Sequence, residues 1–374
     1  MILDIGDDII FFSLLNVHRK GIVMNWKYTV IGKEIRIDQV EEPEALVVIP
    51  ESIEGLPVAE LGAYVLAHSS VEEIHLPSLL RKIGAYGFYG CEKLRRIHCY
   101  GRVLDLGTGL FADVANVEFL DITLFDGEKS CFKELLSELR QTLRVRVHME
   151  NGQEARLIFP EFYEEAIENT PARILSIETH GCGHRYRYCF VKREFQFHGY
   201  DEVFPHMKVQ EPEMLVTELA IGRLQYPMGL QERYREMYEN YLREHWKMAG
   251  QLLLEADSLR LSHVTNLEPG GIGWFVDKFL REEARNANEL MGKVPTAQEK
   301  LVELIDMAQK IGNLEAVSWL MNFRYEMFGH QDVAIHGSAE MLESVVSETA
   351  EGMGVIEKEE ATKSPRRRKR KFEL

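Results

Sequence analysis

The chain is expected to be an α+β protein: a short solenoid, then a small α+β module, then an α-helical domain. Three observations point there. Apolar residues recur every 23 positions or so across residues 58–122. Alternating residues bounded by turn signals mark short strands within 144–210. From Pro212 onward, apolar residues return at spacings of three and four, as one face of a helix requires.

The repeat comes first. Val71, Ile74 and Leu76 recur as Leu94, Ile97 and Cys99, then as Val117, Leu120 and Ile122, each step being 23 residues. The inner spacing of three then two suits a chain entering a short strand and showing alternate side chains to one face. A second series runs through the other side of each turn. Val58, Leu61 and Ala63 become Leu80, Ile83 and Ala85, then Val103, Leu106 and Thr108, and Leu66, Phe88 and Phe111 complete it. One turn cannot bury its own apolar edge, whereas stacked turns share a continuous core.

The run IGAYGFYGCEKLRRIHC (83–99) resembles the leucine-rich repeat of the BspA-like type, with its IG-x-x-AF-x-GC-x-x-L-x-x-I pattern. The preceding stretch VVIPESIEGLPVAELG (47–62) resembles the same family in its I-P, G-x-P-V and I-G elements. The likeness covers roughly residues 26–122 and leaves the helical C-terminal region uncharacterised. Two departures stand out: Tyr86-Gly87 stretches the alanine–phenylalanine pair, and the third turn lacks Gly-Cys and the proline. That turn reads as a degenerate, capping one. The resemblance implies a binding surface and no chemistry.

Taken in order, residues 1–23 read as a translated leader, with Met24 the expected start. Asp4, Asp7 and Asp8 and a short apolar piece make a poor signal peptide. Residues 24–125 hold the repeats and their cap, a hairpin of Trp26–Val30 and Ile35–Ile37. Residues 126–210 begin with a capping helix, Ser130 as N-cap and apolar positions from Phe132 to Leu143. A strand at Arg156–Phe159 and a helix at Glu161–Asn169 follow. Strands at Arg173–His180, His184–Val191 and Glu194–His198 then form a meander, with Arg185 and Arg187 facing solvent. Residues 211–329 are helical. One long helix runs from near Leu230 past Leu252, another from Trp274 to about Leu290. A last pair is opened by Pro295-Thr296 and divided by Gly312-Asn313. Residues 330–374 form a disordered acidic tail with a basic end.

Composition bounds the function. Hydrophobic residues at 45% and aromatics at 10% describe a globular protein. A net charge of −16 argues against whole-surface binding to nucleic acid or anionic membranes. Five cysteines without regular pairing suit a reducing compartment, and a cytoplasmic location is expected. Neither a Gly-x-Ser-x-Gly elbow nor a His-Glu-x-x-His pair nor a dinucleotide fingerprint occurs. No catalytic residue, cofactor or transmembrane segment is assigned.

Three groups of residues remain as candidate sites. The polar positions between the buried strand residues, Glu72, Glu73, His75, Arg95, Arg96 and His98, offer a recognition surface for a protein partner. His180, Cys182, His184 and Cys189 are zinc-type donors around one turn, but their spacing matches no established motif, so no metal is assigned. RYRYCFVKR (185–193) interleaves basic and aromatic residues, as single-strand binders do. The tail carries Arg366, Arg367, Arg368, Lys369, Arg370 and Lys371, then Phe372-Glu373-Leu374. It could contact an acidic partner, RNA or lipid headgroups, with Phe372 and Leu374 as apolar anchors. The expected function is a non-catalytic scaffold or adaptor. A surface adhesin and a nucleic-acid binder acting through the tail are the alternatives.

Overall fold

A computed structural model describes residues 25–169, 174–257, 267, 271–285 and 296–328. The expected leader and start lie outside these residues, as does the basic tail. The chain divides into two units, Met1–Phe275 and Val276–Leu374.

The first unit opens with the expected hairpin. β1 (Asn25–Ile31) and β2 (Glu34–Glu41) pair antiparallel across Gly32. Next come β3 (Leu46–Val48), β4 (Ser52–Ile53), β5 (Leu56–Leu61), β6 (Glu73–His75), β7 (Lys82–Ile83), β8 (Arg96–Tyr100), β9 (Asp105–Leu106) and β10 (Phe119–Leu124). They build two sheets: β1-β2-β5-β7-β9, with β4 paired to β5, and a second that contains β3, β6, β8 and β10. Register follows the sequence period. Ile74 pairs with Ile97 and Ile97 with Leu120, all in parallel, while Leu61 pairs with Ile83 and Ile83 with Leu106. Val71, Ile74, Leu94, Ile97, Val117 and Leu120 are buried, as a shared core between turns requires.

Close stacking depends on glycine. A Cβ on Gly84 would lie 2.4 Å from the Ala63 nitrogen, and one on Gly107 would lie 2.2 Å from that of Ala85. Successive turns therefore meet backbone to backbone at these positions.

The stack continues beyond the third turn. α1 (Phe132–Glu138) starts after Cys131 without a side-chain cap from Ser130, and it is shorter than expected. Leu143 belongs to β11 (Leu143–Met149), which joins β10 in parallel, and β12 (Glu154–Phe159) returns antiparallel. The reason lies in alternation: Leu143, Val145 and Val147 are buried while Arg144, Arg146 and His148 point outward, a period of two that a helix cannot satisfy. The second sheet is thus β12-β11-β10-β8-β6-β3.

The next segment departs most from expectation. β13 (Tyr163–Asn169) replaces the helix expected at 161–169 and pairs with β14 (Ile174–His180). The ladder from Tyr163–His180 to Asn169–Ile174 overrides the helix propensity of Glu164, Glu165 and Glu168. α2 (Gly183–Arg187) stands where a strand was expected. Tyr186 and Arg187 are both buried, whereas strand alternation in the expected meander would put them on opposite faces with Arg187 in solvent. Arg187 is therefore not a solvent-facing residue. β15 (Phe190–Val191) and β16 (Glu194–Phe195) form the small hairpin expected around Lys192-Arg193.

α3 (Phe197–Glu202), α4 (Phe204–Gln210), α5 (Glu213–Gln225), α6 (Glu232–Glu244), α7 (Trp246–Asp257) and α8 (Gly271–Phe275) complete the first unit. The long helix expected from Leu230 is two helices, parted where His245 leaves helical geometry at ψ 32°. Two buried polar clusters hold this region. Arg187 donates to the carbonyls of Leu136, Leu139, Gln141, Pro160 and Gly183, so one side chain satisfies the end of α1 and the loops beside it. Asp201 accepts two bonds from Arg223 at 2.8 and 3.0 Å and one from the Tyr238 hydroxyl at 2.8 Å, tying α3, α5 and α6 together.

In the second unit a π-turn (Val276–Leu280) and α9 (Arg281–Arg285) precede α10 (Ala297–Ile311) and α11 (Leu314–Phe328). Thr296 and Glu299 form a reciprocal capping box, and Gly312 closes α10 in the left-handed conformation. This helix pair matches the reading from Pro295 to Phe323. Of the helix expected from Trp274 to Leu290, the part beyond Arg285 lies outside the described residues.

Candidate functional site on the second sheet

Strand alternation turns one set of side chains of β6, β8, β10 and β11 into the core and the other set outward, where parallel register aligns them in rows. One row runs Leu46, Glu73, Arg96, Phe119, Arg144 and Ile158. The next runs Val48, His75, His98, Asp121, Arg146 and Arg156. Four of the six surface residues expected from sequence, Glu73, His75, Arg96 and His98, belong to these rows. Glu72 and Arg95 sit just before their strands, exposed, and meet Glu73 and Arg96 at a cleft of about 320 Å³ walled also by Leu46, Glu118 and Phe119.

Charges of both signs interlock on this face. Glu73 Oε1 lies 2.7 Å from His75 Nε2 and 3.1 Å from His98 Nε2, and its Oε2 lies 3.7 Å from Arg96 Nε. The His75 and His98 rings stack with centroids 3.9 Å apart. Asp121 faces His98 Nδ1 at 3.4 Å, Arg96 at 3.8 Å, and Arg146 and His148 at 3.9 Å each. Arg96 also lies over the Phe119 ring at 4.2 Å. Hydrogen bonds from the two histidines hold the Glu73 carboxyl far below the usual carboxylate range, against a smaller opposing effect of burial. Burial would raise the Asp121 carboxyl, but together His148, His98, Arg146 and Arg96 outweigh it and leave it lowered.

The far end of the face is covered. Glu218 of α5 accepts from Nε and Nη2 of Arg144, at 2.8 and 2.9 Å, and Arg156 lies over the Tyr226 ring at 4.0 Å. Gly222 lets the helix approach: a Cβ there would stand 3.3 Å from the Arg156 backbone oxygen. The accessible part of the face therefore runs from β3 through β6, β8 and β10 to Arg146 and His148 of β11. A larger groove of about 530 Å³ lies where the chain enters the other sheet, between Leu79, Leu104, Pro57 and the Arg81–Glu34 and Arg102–Glu128 pairs. Its arginines and glutamates are tied up in those two isolated pairs, whereas the charged rows form a connected network.

Asp121, Arg146 and His148 were not singled out from sequence. Asp121 could have been, since it continues the 23-residue step from His75 and His98. Arg146 breaks that step, so no period reveals it.

The zinc-type donors of the turn at 180–189 are not gathered. His180 stacks on Tyr163, the Cys182 thiol faces Glu211 at 3.2 Å, His184 Nδ1 faces the Gly181 carbonyl, and the Cys189 thiol donates to the Arg185 carbonyl. Burial, followed by the Asp201 charge, pushes the Cys189 thiol up to about 12. Burial and Glu211 raise Cys182 as well, so both resist the thiolate form that metals bind. The basic–aromatic interleaving of 185–193 also dissolves in three dimensions, with Tyr186 and Arg187 inside and Tyr188 out. The one group among the described residues whose donors lie within 4.8 Å of one another is Glu73, His75 and His98.

Comparison with known proteins agrees with the repeat. Residues 59–142 match the model of the BspA type leucine rich repeat region, in six copies. Among solved structures, a leucine-rich repeat protein of T. pallidum is 22% identical, with 27% of this chain and 73% of that one covered and a TM-score of 0.21. A leucine-rich repeat protein of Bacteroides capillosus is 15% identical over 27% and 70%, with a TM-score of 0.19. A leucine rich cell surface protein of Faecalibacterium prausnitzii is 10% identical over 37% and 62%, with a TM-score of 0.23. Curated proteins give no match. Residues 59–142 are thus BspA-type leucine-rich repeats. The C-terminal helical region is uncharacterised.

Proposed function

We propose that this repeat protein is a non-catalytic adaptor, cytoplasmic in location, that holds a protein partner on the accessible rows of its second sheet. The observation that carries the reading is the alignment of Glu73, Arg96, His98 and Asp121 on adjacent strands, beside a cleft that also has Leu46 and Phe119 in its wall. Rigid strands hold these groups before any partner arrives, which lowers the ordering cost of association. Charges of both signs in fixed positions favour one partner register over others. Arg96, backed by the buried Phe119 ring, supplies a guanidinium anchor of the kind that dominates interface energies. A helical second unit offers a further surface. Among the described residues no helix is long and apolar enough to cross a membrane.

The test uses two exposed cleft residues whose exchange leaves the core untouched. Full-length protein and the variants Glu72→Lys and Arg95→Glu would be used to capture partners from cytoplasmic extract, with recovery quantified. Loss of one stoichiometric protein with both variants is the expected outcome. Undiminished recovery with both would remove the partner from this face, and recovery abolished by nuclease would favour nucleic acid.

A further inference from the structure

We propose that Glu73, His75 and His98 form a binding site for a zinc-class divalent cation. The proposal is independent of what protein the sheet binds. Its basis is the pattern of donors around His98. Nδ1 of that ring faces the Asp121 carboxylate at 3.4 Å and Nε2 faces the Glu73 carboxylate at 3.1 Å. A neutral imidazole carries one proton, so one of its nitrogens must present a lone pair to an anion. A cation at Nε2 removes that conflict, with the Nδ1 hydrogen given to Asp121. That arrangement, a ligating histidine oriented by a carboxylate on its second nitrogen, is the one metal sites use.

The remaining donors agree. His75 Nε2 is aimed at the same Glu73 oxygen, 2.7 Å away, so two imidazole nitrogens and one carboxylate oxygen converge. Glu73 would bind through Oε1 alone, because Oε2 is turned to Arg96. Two nitrogens and an oxygen suit zinc and its neighbours, and not magnesium or calcium, which prefer all-oxygen shells. The sheet ladder fixes the backbones of β6 and β8 through the Ile74–Ile97 pair. Closing on the ion therefore asks for rotation of the two stacked rings about their side-chain bonds. The site is half-buried and opens outward, so its fourth position falls to water or to a donor brought by another molecule.

Titration of metal-free, full-length protein with ZnCl2 against a chromophoric chelator tests this. One equivalent should bind, and Co2+ should give the visible absorption of a low-coordinate nitrogen–oxygen site. His75→Ala and His98→Ala should each abolish the equivalent. Asp121→Asn, which leaves all three ligands in place, should weaken it about 10–100-fold. Glu73→Gln provides a variant of unchanged size should either histidine replacement fail to fold. A His180→Ala, His184→Ala double variant should bind as the parent does. Absence of saturable binding, or binding that survives in Glu73→Gln and His98→Ala alike, would overturn the proposal.

Discussion

The repeat region and the segment from 160 to 244 are built on opposite principles. In the first, each turn solves the same packing problem as its neighbour, so Ile74, Ile97 and Leu120 occupy equivalent places and no single contact is unique. In the second, unrelated elements are joined by single polar side chains: Arg187 across five carbonyls, and Asp201 across α3, α5 and α6. Periodic order distributes stability over many similar interfaces. Aperiodic order concentrates it, and a concentrated contact is the easier one to break.

Substitutions should expose that difference. Replacing Asp201 by alanine strands Arg223, fully buried, without its carboxylate, and should cost about 3–5 kcal/mol. Chemical denaturation would show it, and a loss below about 1 kcal/mol would refute the view of Asp201 as a keystone. Arg187→Met keeps the bulk but orphans carbonyls at the end of α1, each worth about 1–3 kcal/mol when buried and unpaired. Hydrogen exchange should then quicken around α1 and α2 while β6 and β8 stay protected.

Within the repeats, Gly107→Ala forces a methyl group into the Ala85 backbone, and overpacking of this kind costs about 1–3 kcal/mol. If thermal unfolding is unchanged, the close stacking is not required. In the second unit, Thr296→Ala removes the capping box of α10 and should cost about 1 kcal/mol, seen as a small loss of helical signal on heating. The smallest effect concerns acid. Asp121 has a lowered native pKa, so its contribution is complete above the unfolded value of about 3.9 and fades as pH falls through the native one. The stability gap between metal-free parent and Asp121→Asn should therefore narrow between pH 7 and pH 3. A constant gap would mean the charge is not what matters.

The same contrast explains what the sequence made legible. Register across β6, β8 and β10 could be read because equal steps leave equal side chains in equal places. The N-terminal hairpin and the α10–α11 pair could be read because Gly32, Thr296 and Gly312 have local conformational roles. The helix expected at 161–169 became a strand because its pairing partner, Ile174–His180, lies beyond any local window. Simple alternation puts Arg187 in solvent, whereas its five acceptors come from three separate stretches of chain that no local window contains. On the binding face, β6 and β8 residues were recoverable, whereas Arg146 and the cover supplied by Glu218 depend on elements outside the period.

The two ends of the second sheet differ in kind from its middle, and that has a consequence for how such a chain can change. β3 is three residues long and β12 runs antiparallel with α5 over its neighbour, so neither end invites another strand. Any lengthening must happen inside, by duplication of one 23-residue turn. Each such insertion would move the downstream lid by one strand spacing, about 4.8 Å, without altering either terminus. The open face is in this sense a ruler, and gene duplication within residues 71–122 would reset its length in fixed increments.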